Sequence, residues 1–433
     1  MNIYDINTYP LNQLSKQKIS CSCGEVHEIF SDIAFDNLSE KISLYIEKIA
    51  PPLSLVSIIY DAASKQKYER ILEKHLANTG YRINARVVIN TVVEMDVSSI
   101  PEDTRIILGI GNHSLINNIK NLAFSLNLPY VVIPACPSSH LYSLTPSCFL
   151  INQNLDDIFK VYPPSAVICD SAISVPSIPK AGSYFSLLVS KLVSLFDYQA
   201  AALLNAEKFC PDIFDQALAI IDCATKQAIS KRNQIELEEI FKESLIRYGA
   251  LCQLKGNTRL VLGAETVSAR IFSSLTHFSG ENTGENEFLF ARILLRLYKG
   301  FLGEKFDFFT PPPSNNERVN LISSLLKIPE QSILKKIRPV QNFYEENLAQ
   351  HKLNLHRGEL FALASEFDSK LTIADKALKK LYLDDGYSFI DYLSSKETAI
   401  SVAVAPDLSH KFTMLSFMKD RGLLETMLFE KTS

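Results

Sequence analysis

The chain has 433 residues, of which 47% are hydrophobic and 21% charged, and its formal net charge at pH 7 is -4. That length exceeds what one growing core usually holds, so two domains of roughly 150 to 250 residues each are expected. The ordinary composition excludes wholesale disorder, collagen and long coiled coil, and without a global basic field nucleic acid is not an expected partner.

The opening MNIYDINTYPLNQLSKQK has no basic segment leading into an apolar run, and no apolar segment reads as long enough to span a bilayer. A cytoplasmic chain with no leader and no membrane span is therefore expected. The eight cysteines lie mostly in apolar stretches, which reads as buried thiols of a reducing compartment. The segment Cys21-Ser22-Cys23-Gly24-Glu25-Val26-His27 offers the residue types of a metal clip. A structural zinc, however, usually takes four ligands from two separated pairs, and no second pair is visible. The segment reads first as an N-terminal strand or turn.

Leu55 to Tyr60 (LVSIIY) reads as a strand, and Tyr68, Ile71, Leu72, His75 and Leu76 then fall at helical spacing until Gly80. Arg86 to Ile89 is the next strand. Arg105 to Leu108 is a third, running into Gly109-Ile110-Gly111-Asn112, after which Leu115, Ile116, Ile119, Leu122, Ala123 and Leu126 repeat with helical period. Tyr130 to Ile133 and Ala166 to Ile168 complete the set. Strands alternating with helices give an α/β, doubly wound, nucleotide-type domain over residues 1–175. Ser171 to Gly182 carries two prolines and a glycine and marks the boundary. Long helical patterns follow at Tyr184 to Asn205, Ile235 to Tyr248 and Glu287 to Phe301, before the Thr310-Pro311-Pro312-Pro313 loop. A C-terminal all-α helical domain over 180–433 is expected.

Two places in the first domain suit a cofactor. Gly109 and Gly111 let the backbone approach a phosphate at a strand-to-helix turn, where helix amides attract anions. With Asn112 they form a candidate cofactor site, joined by Asp61 after the first strand. The full G-x-G-x-x-G is absent. Pro137 and Ser138, in PACPSSH, follow a buried strand at the carboxyl edge where open sheets bind ligands, and His140 titrates in a range that could relay a proton.

The runs CSCGEVH, LGIGN, PYVVIPACPSSHLYS, PSAVICD, KLVSLFDYQAAALLN, GNTRLVLGAE and FTMLSFMKDRGLLE stand in the order found in bacterial sn-glycerol-1-phosphate dehydrogenases. From about residue 20 to 425 the chain resembles that family, which belongs to the iron-containing alcohol dehydrogenase and dehydroquinate synthase superfamily. The resemblance implies a dehydroquinate synthase-like fold, NAD or NADP in the α/β half, and a catalytic zinc, nickel or iron in the helical half. It also implies specific losses. The family's Gly-x-Gly-Thr-x-x-Asp turn matches Gly109, Gly111 and Asn112 but puts Leu115 at the Asp. Its Ala-Pro-Ser-x-Asp-Gly matches Cys136, Pro137 and Ser138 but puts His140 at the Asp. The three metal-ligand positions read Leu187, Thr266 and Thr283, with Glu265, His277 and Glu285 nearby.

Leucine and threonine do not hold a divalent transition metal, and without one a substrate hydroxyl is not activated. The expectation is a degenerate member, a pseudoenzyme with no metal that holds NAD or NADP weakly, or a nucleotide or small phosphorylated metabolite. It could also form an oligomer. Arg270 could supply a fixed positive charge in place of the metal and hold an anion. Two alternatives stay open: an oxidoreductase or lyase-type enzyme acting on a phosphorylated polyol through Arg270, Lys191 and His140 without metal, and an interaction scaffold that binds neither nucleotide nor substrate.

Overall fold

The computed structural model describes residues 6–89, 95–134, 142, 146–151, 155–170, 181–230, 233–276, 283–304, 313–339, 346–381, 396–409, 411–424 and 427. Residues 1–180, with 211–220 and 239–258, form one compact unit, and the rest of the chain forms a second.

The first unit begins with an antiparallel hairpin, β1 (Lys18–Ser20) against β2 (Val26–Glu28). Then come β3 (Asp32–Asp36), α1 (Leu38–Glu47), β4 (Leu55–Asp61), α2 (Ala62–Asn78), β5 (Arg82–Val88), β6 (Thr104–Gly111), α3 (His113–Leu126) and β7 (Tyr130–Pro134). A second hairpin, β8 (Pro146–Ile151) with β9 (Leu155–Lys160), precedes β10 (Ala166–Asp170). Six strands form one sheet in the order β3-β10-β7-β6-β4-β5, and every pair in it is parallel.

Parallel strands covered on both faces read as unbroken apolar runs, and β4 and β7 are buried along their whole length. Alternate residues divide between two cores. Ile58, Tyr60, Leu108, Ile110, Val131 and Ile133 pack against Leu38, Ile42, Leu72 and Leu76 of α1 and α2. On the opposite face Ile59, Ile107, Tyr130 and Val132 meet Leu115, Ile119 and Leu122 of α3.

Two strands depart from the sequence reading. β5 starts at Arg82 rather than Arg86, because at the sheet edge it is only half covered and so carries polar residues. β3, whose run DIAFD begins and ends on an aspartate, went unread. It forms the other edge, where Lys16 and Lys48 reach the Asp32 carboxylate at 3.0 and 3.7 Å.

The second unit draws on α4 (Ala181–Ser190), α5 (Leu192–Asn205), α6 (Pro211–Ser230), α7 (Gln234–Lys255), α8 (Ala264–Thr276), α9 (Thr283–Gly303), α10 (Asn315–Leu326), α11 (Glu330–Leu334), α12 (Glu346–Leu381), α13 (Lys396–Leu408) and α14 (Met414–Lys419). Parts of α6 and α7 belong to the first unit, where Gln253 accepts from the Phe30 amide at 3.1 Å and Arg247 donates to the Ile6 carbonyl at 2.6 Å. Among the described residues this unit contains no strand.

The helix expected from Tyr184 to Asn205 divides at Lys191 into α4 and α5. Contrary to the sequence reading, the 25-residue stretch Ala181–Asn205 is long and apolar enough to cross a membrane by length and composition, but 83% of its most apolar window is buried inside the protein. A helix apolar on all sides needs cover on all sides, and α9 and α12 both pack against α4. Gly284 permits the α9 contact: a Cβ there would collide with the Ser183 carbonyl oxygen.

Replacing Gly284 with alanine should therefore destabilise the protein by about 1–3 kcal/mol, the usual cost of overpacking. Gly358→Ala, at an exposed position of α12 where an added Cβ meets nothing within 4 Å, should stabilise by about 0.5–1 kcal/mol through helix propensity. Thermal melts followed by circular dichroism separate the two, and a Gly284→Ala melt at or above wild type contradicts the close approach.

Candidate functional site

At the end of β6 the chain turns through Gly111 into α3, and the Asn112 side chain caps the helix by accepting from the Leu115 amide at 3.0 Å. Asp61, closing the neighbouring β4, caps α2 with one carboxylate oxygen, which accepts from the Ser64 amide at 2.7 Å. Its other oxygen accepts from the Asn112 amide at 2.7 Å. Both glycines are explained by packing. A Cβ on Gly109 would lie 2.5 Å from the Ile119 side chain, and one on Gly111 would lie 2.6 Å from both the Asp61 carboxylate and Leu115. Leu115 is fully buried in the α3 core. The structure thus brings Asp61, Gly109, Gly111 and Asn112 together. An anion arriving at this turn meets a carboxylate that already holds the Asn112 amide. Pro137, Ser138 and His140 lie outside the described residues, as do the 171–180 boundary segment, His277 and residues 310–312.

In the second unit the chemistry gathers around Lys191, which stands between α4 and α5 with its side chain at 0% exposure. Its ammonium has four acceptors within reach: Glu287, the Thr266 hydroxyl at 2.9 Å, the Val261 carbonyl at 3.2 Å and Glu265 at 3.4 Å. Three N–H groups facing four acceptors leave none for a ligand. Ser194 donates to the same Glu265 oxygen at 2.5 Å and Ser190 to Glu287 at 3.3 Å. The Thr266 hydroxyl proton has the Val261 carbonyl at 3.0 Å and both glutamates at 3.2 Å. Gly263 makes room for the cluster, since a Cβ there would strike the second Glu265 oxygen.

Burial alone would lower the Lys191 pKa, but Glu287 and Glu265 outweigh it and hold the ammonium above the ordinary lysine value. Burial pushes the Glu265 carboxyl up, with Lys191 opposing. Asp197, one and a half turns along α5, accepts from the Met414 amide at 2.9 Å and the Ala264 amide at 3.1 Å. Burial nevertheless raises it from 3.8 to about 7.

Of the ligand positions that the resemblance marks, Leu187 is buried without a donor atom, Thr266 is held by the Lys191 ammonium, and Thr283 begins α9. Arg270 sits one helical turn after Thr266, half-buried on α8. The sequence reading missed Glu287, Ser190, Ser194 and Asp197. One signal was available for Asp197, a single acid inside the apolar run LVSLFDYQAAALL.

Comparison with known proteins agrees with the fold. Residues 35–177 match the iron-containing alcohol dehydrogenase family. A glycerol-1-phosphate dehydrogenase [NAD(P)+] of Thermoplasma acidophilum is 25% identical over 206 residues, 45% of this chain and 56% of that protein. The enzyme of the same name from Saccharolobus islandicus is 25% identical over 265 residues, 59% of this chain and 72% of that protein. Against the first of these relatives, the match spans little more than half of the relative's length. Both relatives are archaeal, whereas the sequence motifs pointed to bacterial ones. Among solved structures, the iron-containing alcohol dehydrogenase of Thermococcus thioreducens superposes with a TM-score of 0.55 at 11% identity, covering 92% of this chain and 98% of that one. An archaeal halo-thermophilic alcohol dehydrogenase from a Red Sea brine pool gives 0.56 at 12% identity, covering 93% and 98%. The fold is that of the iron-containing alcohol dehydrogenases, a parallel-sheet domain followed by a helical one, and the chain is related to the glycerol-1-phosphate dehydrogenases.

Removing the ammonium with Lys191→Met strands two buried carboxylates and should cost about 3–5 kcal/mol. Adding Glu287→Gln should recover part of that loss in urea denaturation, and strictly additive losses would contradict the coupling. Asp197 gives a pH signature. Between pH about 4 and about 7 the folded chain keeps a proton that the unfolded chain has released, so stability from this group falls as pH rises through that window and the loss is complete above about 7. The Asp197→Asn variant lacks this titration. The wild-type melting temperature should therefore fall relative to the variant's between pH 5 and pH 7.5, and parallel profiles refute the assignment.

Proposed function

We propose that this chain is a relative of the glycerol-1-phosphate dehydrogenases that has exchanged the metal of its helical unit for a buried ammonium and does not perform metal-assisted hydride transfer. One observation carries the reading: Lys191, fully buried, donates to the Thr266 hydroxyl at 2.9 Å and is paired with Glu265 and Glu287. A dication bound at Thr266 would share a low-dielectric interior with that ammonium, and like charges a few ångströms apart there repel strongly. Leu187 offers no lone pair at the position of the first ligand. These residues do not fit the metal.

What remains is binding by the α/β unit. The relatives' names carry NAD(P)+, and this chain keeps the strand-to-helix turn at Gly109–Asn112. Asp61 holds the Asn112 amide, so a dinucleotide or a phosphorylated metabolite is held weakly, with a dissociation constant above the micromolar range. The metal-independent enzyme is less well supported. All three N–H groups of Lys191 are engaged and its ammonium form is favoured, so it neither accepts a proton nor reaches a substrate. The scaffold reading differs only in the absence of nucleotide affinity.

The test is turnover. Protein supplied with NAD+ or NADP+, glycerol 1-phosphate and added zinc, nickel or iron(II) should show no substrate oxidation above buffer. Calorimetry should give weak or undetectable dinucleotide binding. Metal-dependent turnover that disappears in Thr266→Ala and survives Cys21→Ser would overturn the proposal.

A further inference from the structure

The CSCGEVH segment reads from sequence as a strand or turn with two thiols and an imidazole but no second ligand pair, and its folded surroundings change that balance. β1 and β2 pair with Ser20 opposite Val26, so residues 21–25 form the hairpin end. That end closes tightly: the Gly24 amide donates to the Cys21 carbonyl at 3.1 Å and the Cys21 amide to the Glu25 carbonyl at 3.2 Å, with Gly24 at φ +83°. The turn brings the two thiols to one side. His27, on β2 and 5% exposed, places its Nε2 3.3 Å from the Cys23 sulfur. Its other side is engaged with the Leu254 carbonyl of α7. An imidazole that donates one N–H to a backbone carbonyl is fixed in the tautomer whose second nitrogen can ligate. Burial also lowers the His27 pKa and favours that neutral ring.

The fourth donor arrives from far along the chain. Cys210 is bonded to Pro211, the first residue of α6, and the second residue of that helix, Asp212, accepts from the Ser22 amide at 3.0 Å. This bond docks the start of α6 on the hairpin end. The ligand atoms of Cys21, Cys23, His27 and Cys210 all lie within 4.8 Å of one another. In a tetrahedral zinc site with Zn–S near 2.3 Å, neighbouring sulfurs stand about 3.8 Å apart, so small side-chain adjustments close the distance.

We propose that Cys21, Cys23, His27 and Cys210 form a structural zinc site that fastens the N-terminal hairpin to the start of α6. Three thiolates and one imidazole make a closed tetrahedral set that suits zinc and leaves no open position for catalysis. Metal binding displaces the three thiol protons to solvent and involves no redox change. The Cys21 thiol donates to Asp212 at 3.2 Å, a bond that loss of the thiol proton to metal binding would end. With zinc in place Asp212 keeps its bond to Ser22 and remains outside the ligand set. The site is separate from the positions of Leu187, Thr266 and Thr283, and the proposal does not rest on the reading of those residues. It replaces the expectation of a metal-free chain.

Metal content decides it. Full-length protein purified in reducing buffer without chelator should carry about one zinc per chain, and Thr266→Ala should carry the same. Cys21→Ser and Cys210→Ser should lose at least about nine-tenths of it and melt at lower temperature. Cobalt(II) added to metal-stripped wild-type protein should give the intense visible bands of a tetrahedral thiolate site, a readout that needs no variant. A folded wild-type chain that takes up neither zinc nor cobalt overturns the proposal, as does zinc that survives both cysteine substitutions. Zinc that is lost in Thr266→Ala but kept in Cys21→Ser would instead place a metal in the helical unit and overturn the proposed function as well.

Discussion

Taking a charge out of water costs several kcal/mol even after the protein relaxes, and the helical unit is organised around meeting that cost at Lys191. Its ammonium lies at the junction of α4 and α5, and the groups that satisfy it come from the loop before α8, from α8 itself and from α9. Those elements are thereby held in one arrangement. The same solution recurs nearby, where Asp407 is paired with Arg318 at 2.5 Å and Lys419 at 2.7 Å, all three nearly inaccessible to water. An apolar stretch long enough to cross a bilayer can serve as the core of this unit because Lys191 is paired with two carboxylates and Asp197 accepts from two amides inside the protein.

Close approach is the second constraint, and it accounts for the glycines at these positions. Gly284 lets α9 rest on the Ser183 carbonyl, and Gly263 leaves room for the Glu265 carboxylate. In the α/β unit Gly109 and Gly111 admit Ile119 and the Asp61 carboxylate. A glycine at a strand-to-helix turn satisfies a phosphate and a packed side chain equally well. Here the Ile119, Leu115 and Asp61 side chains take the space that a Cβ would need.

The proposed zinc site and the Lys191 cluster differ in what they do with buried polar groups. At Lys191 a cation already present in the chain neutralises the carboxylates. At the hairpin end, three thiols and an imidazole converge within 4.8 Å of one another. Ligand softness then selects the ion: sulfur and imidazole favour zinc.

The sequence by itself determined the α/β unit, because strands buried on both faces must be unbroken apolar runs, and LVSIIY and YVVIP can hardly be anything else. It also marked the change to helix after residue 180, where the β-branched runs give way to helical spacing. It did not show the short polar edge strand Asp32–Asp36, whose partners lie on another strand rather than in its own pattern. Only the tertiary structure paired Lys191 with Glu265 and Glu287, 74 and 96 positions away, and only it brought Cys210 to a hairpin whose last ligand is His27. Periodicity records which face of an element is buried. Which buried polar group meets which is settled by how elements distant in sequence pack together, and no local pattern encodes that.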